Sequence, residues 1–174
     1  MARRSVDHVQ RSWTKLQIEL DSSRPSSPRL QALYDLWRSK QRDGAVPSRL
    51  DIDPLLECDS RLVPHLFLLD VLEDPTDFRF RLVGTGVVAM EGRDNTGKRL
   101  GECGYGRYEG LFRAIYEKIV AEQAPLGFTG SMLWQKERLE LEGLHLPLTR
   151  SGDKVEVILG TMLFSPIANG VFLL

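Results

Sequence analysis

The run HLFLLDVLEDPTDFRFRLVGTG, His65 to Gly86, decides how the rest of the chain is read. Two stretches rich in Leu, Val and Phe flank Glu73-Asp74-Pro75-Thr76-Asp77, whose acids and proline suit a short reversal. The run therefore reads as an antiparallel hairpin. In its second arm Phe78, Phe80 and Leu82 alternate with Arg79 and Arg81, the period of a strand with one apolar and one polar face. The first arm does not alternate. Leu66 to Leu69, then Val71 and Leu72, is apolar on both sides and calls for a covering layer on each face of the sheet.

Upstream, Val6, Val9, Trp13, Leu16 and Leu20 recur at spacings of 3, 4, 3 and 4 behind Ser5, which predicts an amphipathic N-terminal helix. A Ser/Pro-rich joint, Asp21 to Ser27, follows. Ser27-Pro28 opens a second helix with Leu30, Leu33, Tyr34 and Trp37 on one side and Gly44 as its stop. Val46 to Cys58 is punctuated by prolines and acids and predicts a loop with one short helix.

Downstream, Gly84-Thr85-Gly86-Val87-Val88-Ala89 has the outline of a dinucleotide-binding turn, but no long helix and second parallel strand follow. A short helix ending near Met90 is the expectation, with an NAD(P)-dependent oxidoreductase as the alternative. Glycines 92, 97, 101, 104 and 106 then argue against regular structure. Arg107 to Glu122 is a clear helix, with Tyr108, Leu111, Phe112, Ile115, Ile119 and Val120 on one side and Pro125 beyond its end. Three strands follow: Leu126 to Trp134, Arg138 to Leu148 and Lys154 to Phe164. In the middle one the apolar parity switches at Gly143, which predicts a bulge. The last is again apolar on both faces.

The 174 residues, 42% of them hydrophobic, suffice for one core with an arm to spare. Net charge is −1, unevenly placed: residues 1 to 50 carry 10 basic and 5 acidic side chains, the remainder 13 and 19. The basic residues are interspersed with acids, so the arm is read as solvated and no nucleic-acid partner is expected. No apolar run approaches the ~18 residues of a membrane span, and the start lacks a secretory signal, so a cytoplasmic protein is expected. Cys58 and Cys103 have no zinc-ligand or disulfide spacing. No nucleophile-elbow, HExxH or Walker pattern occurs, so neither catalytic nor metal-binding residues are expected.

The order strand, strand, short helices, long helix and three strands is that of the PAS fold. Trp37-Arg38, Pro47-x-Arg49, Asp51-x-Asp53-Pro54, Leu62-x-Pro64-His65-Leu66-Phe67, Asp70-Val71, Arg79 to Thr85, Gly92-Arg93-Asp94-x-Thr96-Gly97, Leu146-Pro147-Leu148 and Ile158-Leu159-Gly160 together resemble a family of small bacterial PAS-like proteins common in alphaproteobacteria. The resemblance spans Pro28 to Phe164. It implies an α+β fold: a five-stranded antiparallel sheet of order 2-1-5-4-3, with one long helix and short helices on one face. It also implies a non-catalytic, stand-alone sensory or regulatory role, as a homodimer with a small-molecule ligand or a signalling partner such as a kinase. The expected parts are an N-terminal helix and linker (1–27), a helical cap and loop (28–60), the PAS-like domain (61–165) and a tail (166–174).

In that order the two doubly apolar strands lie side by side at the centre, and the helix from Pro28 is the natural cover of the sheet's back. Leu30, Leu33, Tyr34 and Trp37 are its candidate cap or dimer contacts, covering their own chain or a neighbour. A pocket between the long helix and the sheet would be lined by Phe80, Met90, Phe112, Ile115, Ile119, Met132, Trp134, His145 and Leu146. A filled core and a ligand-free dimerisation adaptor remain the alternative. Haem is disfavoured because the long helix has no histidine, and flavin because Gly101-Glu102-Cys103-Gly104-Tyr105 does not match the photosensor motif. His145 is read more readily as hydrogen-bonded on the sheet's outer face than as a ligand contact.

Overall fold

The computed structural model describes residues 13–21, 24–73 and 76–166. Its strands are β1 (Trp13–Asp21), β2 (Leu66–Leu72), β3 (Asp77–Val83), β4 (Leu126–Trp134), β5 (Glu137–Leu148) and β6 (Val157–Pro166). Between them lie α1 (Pro28–Ser39), α2 (Pro54–Glu57), α3 (Thr85–Glu91) and α4 (Glu109–Glu122). The sheet runs β1-β4-β5-β6-β2-β3, and all five strand pairs are antiparallel. Without β1 this is the expected order. β2 and β6, the two doubly apolar strands, are neighbours from Leu66↔Thr161 to Asp70↔Val157.

The sixth strand corrects the N-terminal expectation. Trp13–Asp21 is not helical: it pairs with β4 from Trp13↔Trp134 to Asp21↔Gly127, with a register shift between Thr14 and Gln17 and Lys15 at φ 53°. A helix of about two heptads with no partner is marginal in water, whereas the bare edge of β4 offers a row of unpaired backbone groups. Leu16, Ile18 and Leu20 also alternate with Gln17 and Glu19, and the bulge hid that period. Val6 and Val9 lie outside the described residues.

Two layers cover the sheet, as the doubly apolar strands require. On the front, α4 sets Phe112, Ile115, Tyr116 and Ile119 against Phe67, Leu69, Phe78, Phe80 and Ile158. On the back, Leu30, Leu33 and Trp37 of α1 pack on Leu66, Leu68, Leu144, Leu146, Leu148 and Leu159. The back cover therefore comes from the same chain. Each such side chain contributes roughly 1.5–3 kcal/mol by leaving water. Trp37 Nε1 donates to Pro147 O at 2.8 Å. The Glu142 carboxylate, buried at the foot of α1, accepts from Ser26 N (2.6 Å), Ser26 Oγ (2.9 Å) and Ser27 N (3.1 Å). It ties down the residues that lead into α1, where the Ser27 side chain makes no cap bond.

Gly143 holds no bulge. Both ladders of β5 run without a register shift. The parity switch arises because α1 covers the back face only at the far end of β5: Arg138 and Glu140 face solvent there, while Leu144, Leu146 and Leu148 lie under the helix. The turn after β3 opens a helix of seven residues inside an antiparallel sheet, which removes the dinucleotide-binding alternative. Gly84 serves packing instead, since a Cβ there would sit 2.3 Å from Pro64 O.

Candidate functional site

A cavity of about 30 Å³, space for one water-sized guest, opens at one end of the front layer. Leu16 and Ile18 of β1 form one wall, Val87, Met90 and Glu91 of α3 another, and Phe112 of α4 the roof. Met132, Met162 and Phe164 are its floor. Three methionines make this wall adaptable, because an unbranched thioether repacks at little cost. β1 is held over the opening by its ladder to β4 and by Leu16 N donating to Tyr108 Oη at 3.1 Å. A roomier hollow of about 450 Å³ on the other side of the sheet, lined by Glu19, Arg138, Glu140 and Glu142 among others, is open and polar.

The polar edge of the front-face cavity is organised around Glu91. Its carboxylate accepts from Tyr105 Oη at 2.9 Å and Asn95 Nδ2 at 2.6 Å, and burial pushes its pKa up. The Arg93 guanidinium stands 5.8 Å from the Tyr105 ring centre. Cys103 nearby is fully buried, donates to Arg99 O at 3.2 Å and has its pKa pushed up to about 12, chiefly by burial. That is the setting of an inert thiol.

Deeper in the same layer sits His145. It pairs with Leu126 on one side and Gly160 on the other, and its ring is 2% exposed. Three aromatic rings box it in: Phe128 at 5.0 Å, Phe67 at 5.4 Å and Tyr116 at 5.5 Å between centres. Neither ring nitrogen has a hydrogen-bond partner, and burial holds the imidazole neutral, with its pKa pushed down to about 3. The outer-face, hydrogen-bonded histidine that the sequence favoured is not what forms.

Of the predicted lining, Met90, Phe112 and Met132 border the cavity. Phe80, Ile115 and Ile119 stand in the adjoining core, and Trp134 packs at its edge. Leu146 does not belong with them: it lies in the back core under α1, because residues adjacent in a strand face opposite sides and His145 takes the front. Leu30, Leu33 and Trp37 are consumed by their own sheet, with Tyr34 half-buried and stacked on Trp37. Leu16, Ile18, Val87, Glu91, Met162 and Phe164 were not foreseen. For the first two, the Leu16-Ile18-Leu20 alternation was the available signal.

The turn and hairpin charges behave as their residue types suggest. Asp70, 4% exposed, accepts from Arg81 Nε at 2.9 Å and Arg79 at 3.2 Å across the hairpin, and Arg150 joins them. Asp94 accepts from Thr96 N at 2.8 Å as a turn. No helix among the described residues is long and apolar enough to cross a membrane.

A family model described as PAS domain matches residues 25–163, most of the chain. The chain belongs to the PAS domain family. PAS domains are sensory and regulatory modules, generally without catalysis of their own. No curated protein and no solved structure matches the chain. The matched span holds all of the PAS sheet except the last residues of β6, while β1, which forms one wall of the cavity, precedes it.

Proposed function

We propose that this PAS domain is a non-catalytic regulatory module that takes a small, largely apolar molecule into its front-face cavity and signals to a partner protein such as a kinase. The observation that carries this reading is the cavity itself, a methionine-lined space under α3 and α4 that is closed by β1. A guest larger than water needs the methionines to repack or β1 to shift, so occupancy would be coupled to the position of the N-terminal strand. The test is native mass spectrometry of the purified full chain, with thermal stability read before and after mild denaturation and refolding. A reproducible extra mass, lost with a fall in melting temperature, supports the reading. A clean apo mass, with no stabilisation by any member of a small-molecule library, counts against it.

Self-association is the second part of the proposal, on a surface other than the one the sequence suggested. The α1 stripe is already buried, whereas Leu50, Leu55 and Leu56 are 92%, 73% and 84% exposed on the segment between α1 and β2. A two-fold contact between copies would cover them. Sedimentation should then show a dimer that Leu55→Glu with Leu56→Glu converts to monomer at unchanged melting temperature. A wild-type monomer at high micromolar concentration would remove this part.

A further inference from the structure

The front face of β5 and β6 carries an unusual square of residues. His145 lies opposite Gly160, and Gly143, two residues before His145, lies opposite Met162. Directly opposed residues in a ladder point to the same side, so two of these four positions present bare backbone beside a buried imidazole. The neighbouring strands fill the gap. Phe128 of β4 is opposite Gly143, and a Cβ on that glycine would come 2.0 Å from its ring; Phe67 of β2 is opposite Gly160, with the corresponding distance 2.1 Å. Both rings therefore rest on glycine backbone on either side of His145. Phe128 also belongs to the cluster with Met132 and Phe164, which floor the cavity. Its ring also lies 5.0 Å from the imidazole between centres.

We propose that His145 is the polar anchor of a slot for a neutral, flat aromatic or heteroaromatic molecule carrying one hydrogen-bonding group, seated on Gly143 and Gly160 where Phe128 or Phe67 swings aside. This deepens, and rests on, the reading of the front-face cavity as a small-molecule site. Flatness follows from the glycines: the space they leave is already occupied by flat rings, and a ligand ring replaces the same contacts. The hydrogen-bonding group follows from the imidazole, whose donor and acceptor nitrogens are both unmet in a layer where an unmet polar atom is destabilising. Neutrality follows from the surroundings. The rings of Phe67, Tyr116 and Phe128 offer no counter-charge, and the imidazole is itself uncharged.

Indole and its carbon isostere indene serve as probes, since they share shape and differ in the ring N–H. Binding to the full chain is followed by calorimetry, and the His145 ring by long-range proton–nitrogen NMR. Indole is expected to bind saturably and to shift one imidazole nitrogen resonance of His145. His145→Leu should weaken indole by about tenfold, the loss of one buried hydrogen bond, and leave indene unchanged. His145→Gln, which keeps a donor and an acceptor, should retain part of the preference. If both probes bind and neither distinguishes wild type from His145→Leu, the anchor is wrong and the cavity reading stands. If neither binds at millimolar concentration while the purified protein carries another mass, the slot is wrong alone. Absence of both sinks slot and cavity together.

Discussion

The two faces of this sheet are built from different side chains, the back mostly from leucine and the front from phenylalanine, isoleucine and tyrosine, and they are finished differently. Under α1 the larger polar groups are met: the Trp37 indole donates to Pro147 O, and Glu142 receives the Ser26 and Ser27 backbone. The Thr161 hydroxyl and, beside Arg29, His65 Nδ1 are exceptions. Under α4 a whole imidazole is left without partners, two glycines are roofed by phenyl rings, and methionines border a cavity. A buried polar group without a partner lowers stability, so the front layer carries a cost that the back layer largely avoids. Under the proposed function the back core would be the clamp and the front core the receiver.

Truncation in the back core should have the largest effect. Trp37→Ala removes an indole that is 3% exposed together with its hydrogen bond, and about 3–5 kcal/mol of unfolding free energy should go with it, read by urea denaturation. A loss similar to that of a surface substitution would erase the distinction between the faces. Next comes Gly160→Ala, whose methyl would drive into the Phe67 ring; displaced packing of this kind costs about 1–3 kcal/mol. That substitution should also abolish indole binding, which Trp37→Ala in the folded population should not. Retention of both stability and binding would mean that the rings do not rest on the glycines.

His145→Leu should move in the other direction and depend on pH. Replacing an unpartnered buried imidazole by a hydrocarbon is expected to raise stability at neutral pH by about 1–3 kcal/mol. The native pKa of His145 lies at about 3, below its ordinary 6.5, so under pH 6.5 the unfolded chain binds a proton that the folded chain refuses. Stability contributed by this group is complete above pH 6.5 and falls as pH drops toward 3, at a slope approaching about 1.4 kcal/mol per pH unit. Wild type should show this acid slope between pH 6 and 4, and His145→Leu should lack it. Parallel profiles for the two proteins would place the histidine in a solvated setting.

Much of the fold was legible because burial on both faces leaves a mark. Leu66 to Leu72 and Val155 to Phe164 lack alternation, which put β2 and β6 together at the centre, and the Leu30, Leu33, Trp37 stripe supplied the missing cover. The same property made the site hard to read. Where both faces are covered, hydrophobicity does not say which way a residue points, so the sequence leaves His145 between the pocket and the outer face and puts Leu146 in the wrong core. At the N-terminus, spacings that suit a helix coexist with a strand period interrupted by the bulge at Lys15, and only the vacant edge of β4 decides between them. Gly143 read as a bulge because a ring packed on its backbone leaves no trace in local sequence.

The division between clamp and receiver is tested most directly by hydrogen–deuterium exchange over the full chain, with and without saturating indole. The account predicts slow exchange in α1 that indole leaves unchanged, and faster exchange in β1 and α3 that indole slows, together with the Phe128 end of β4. Equal protection of both faces with no response to indole, or a response centred on α1, would contradict it.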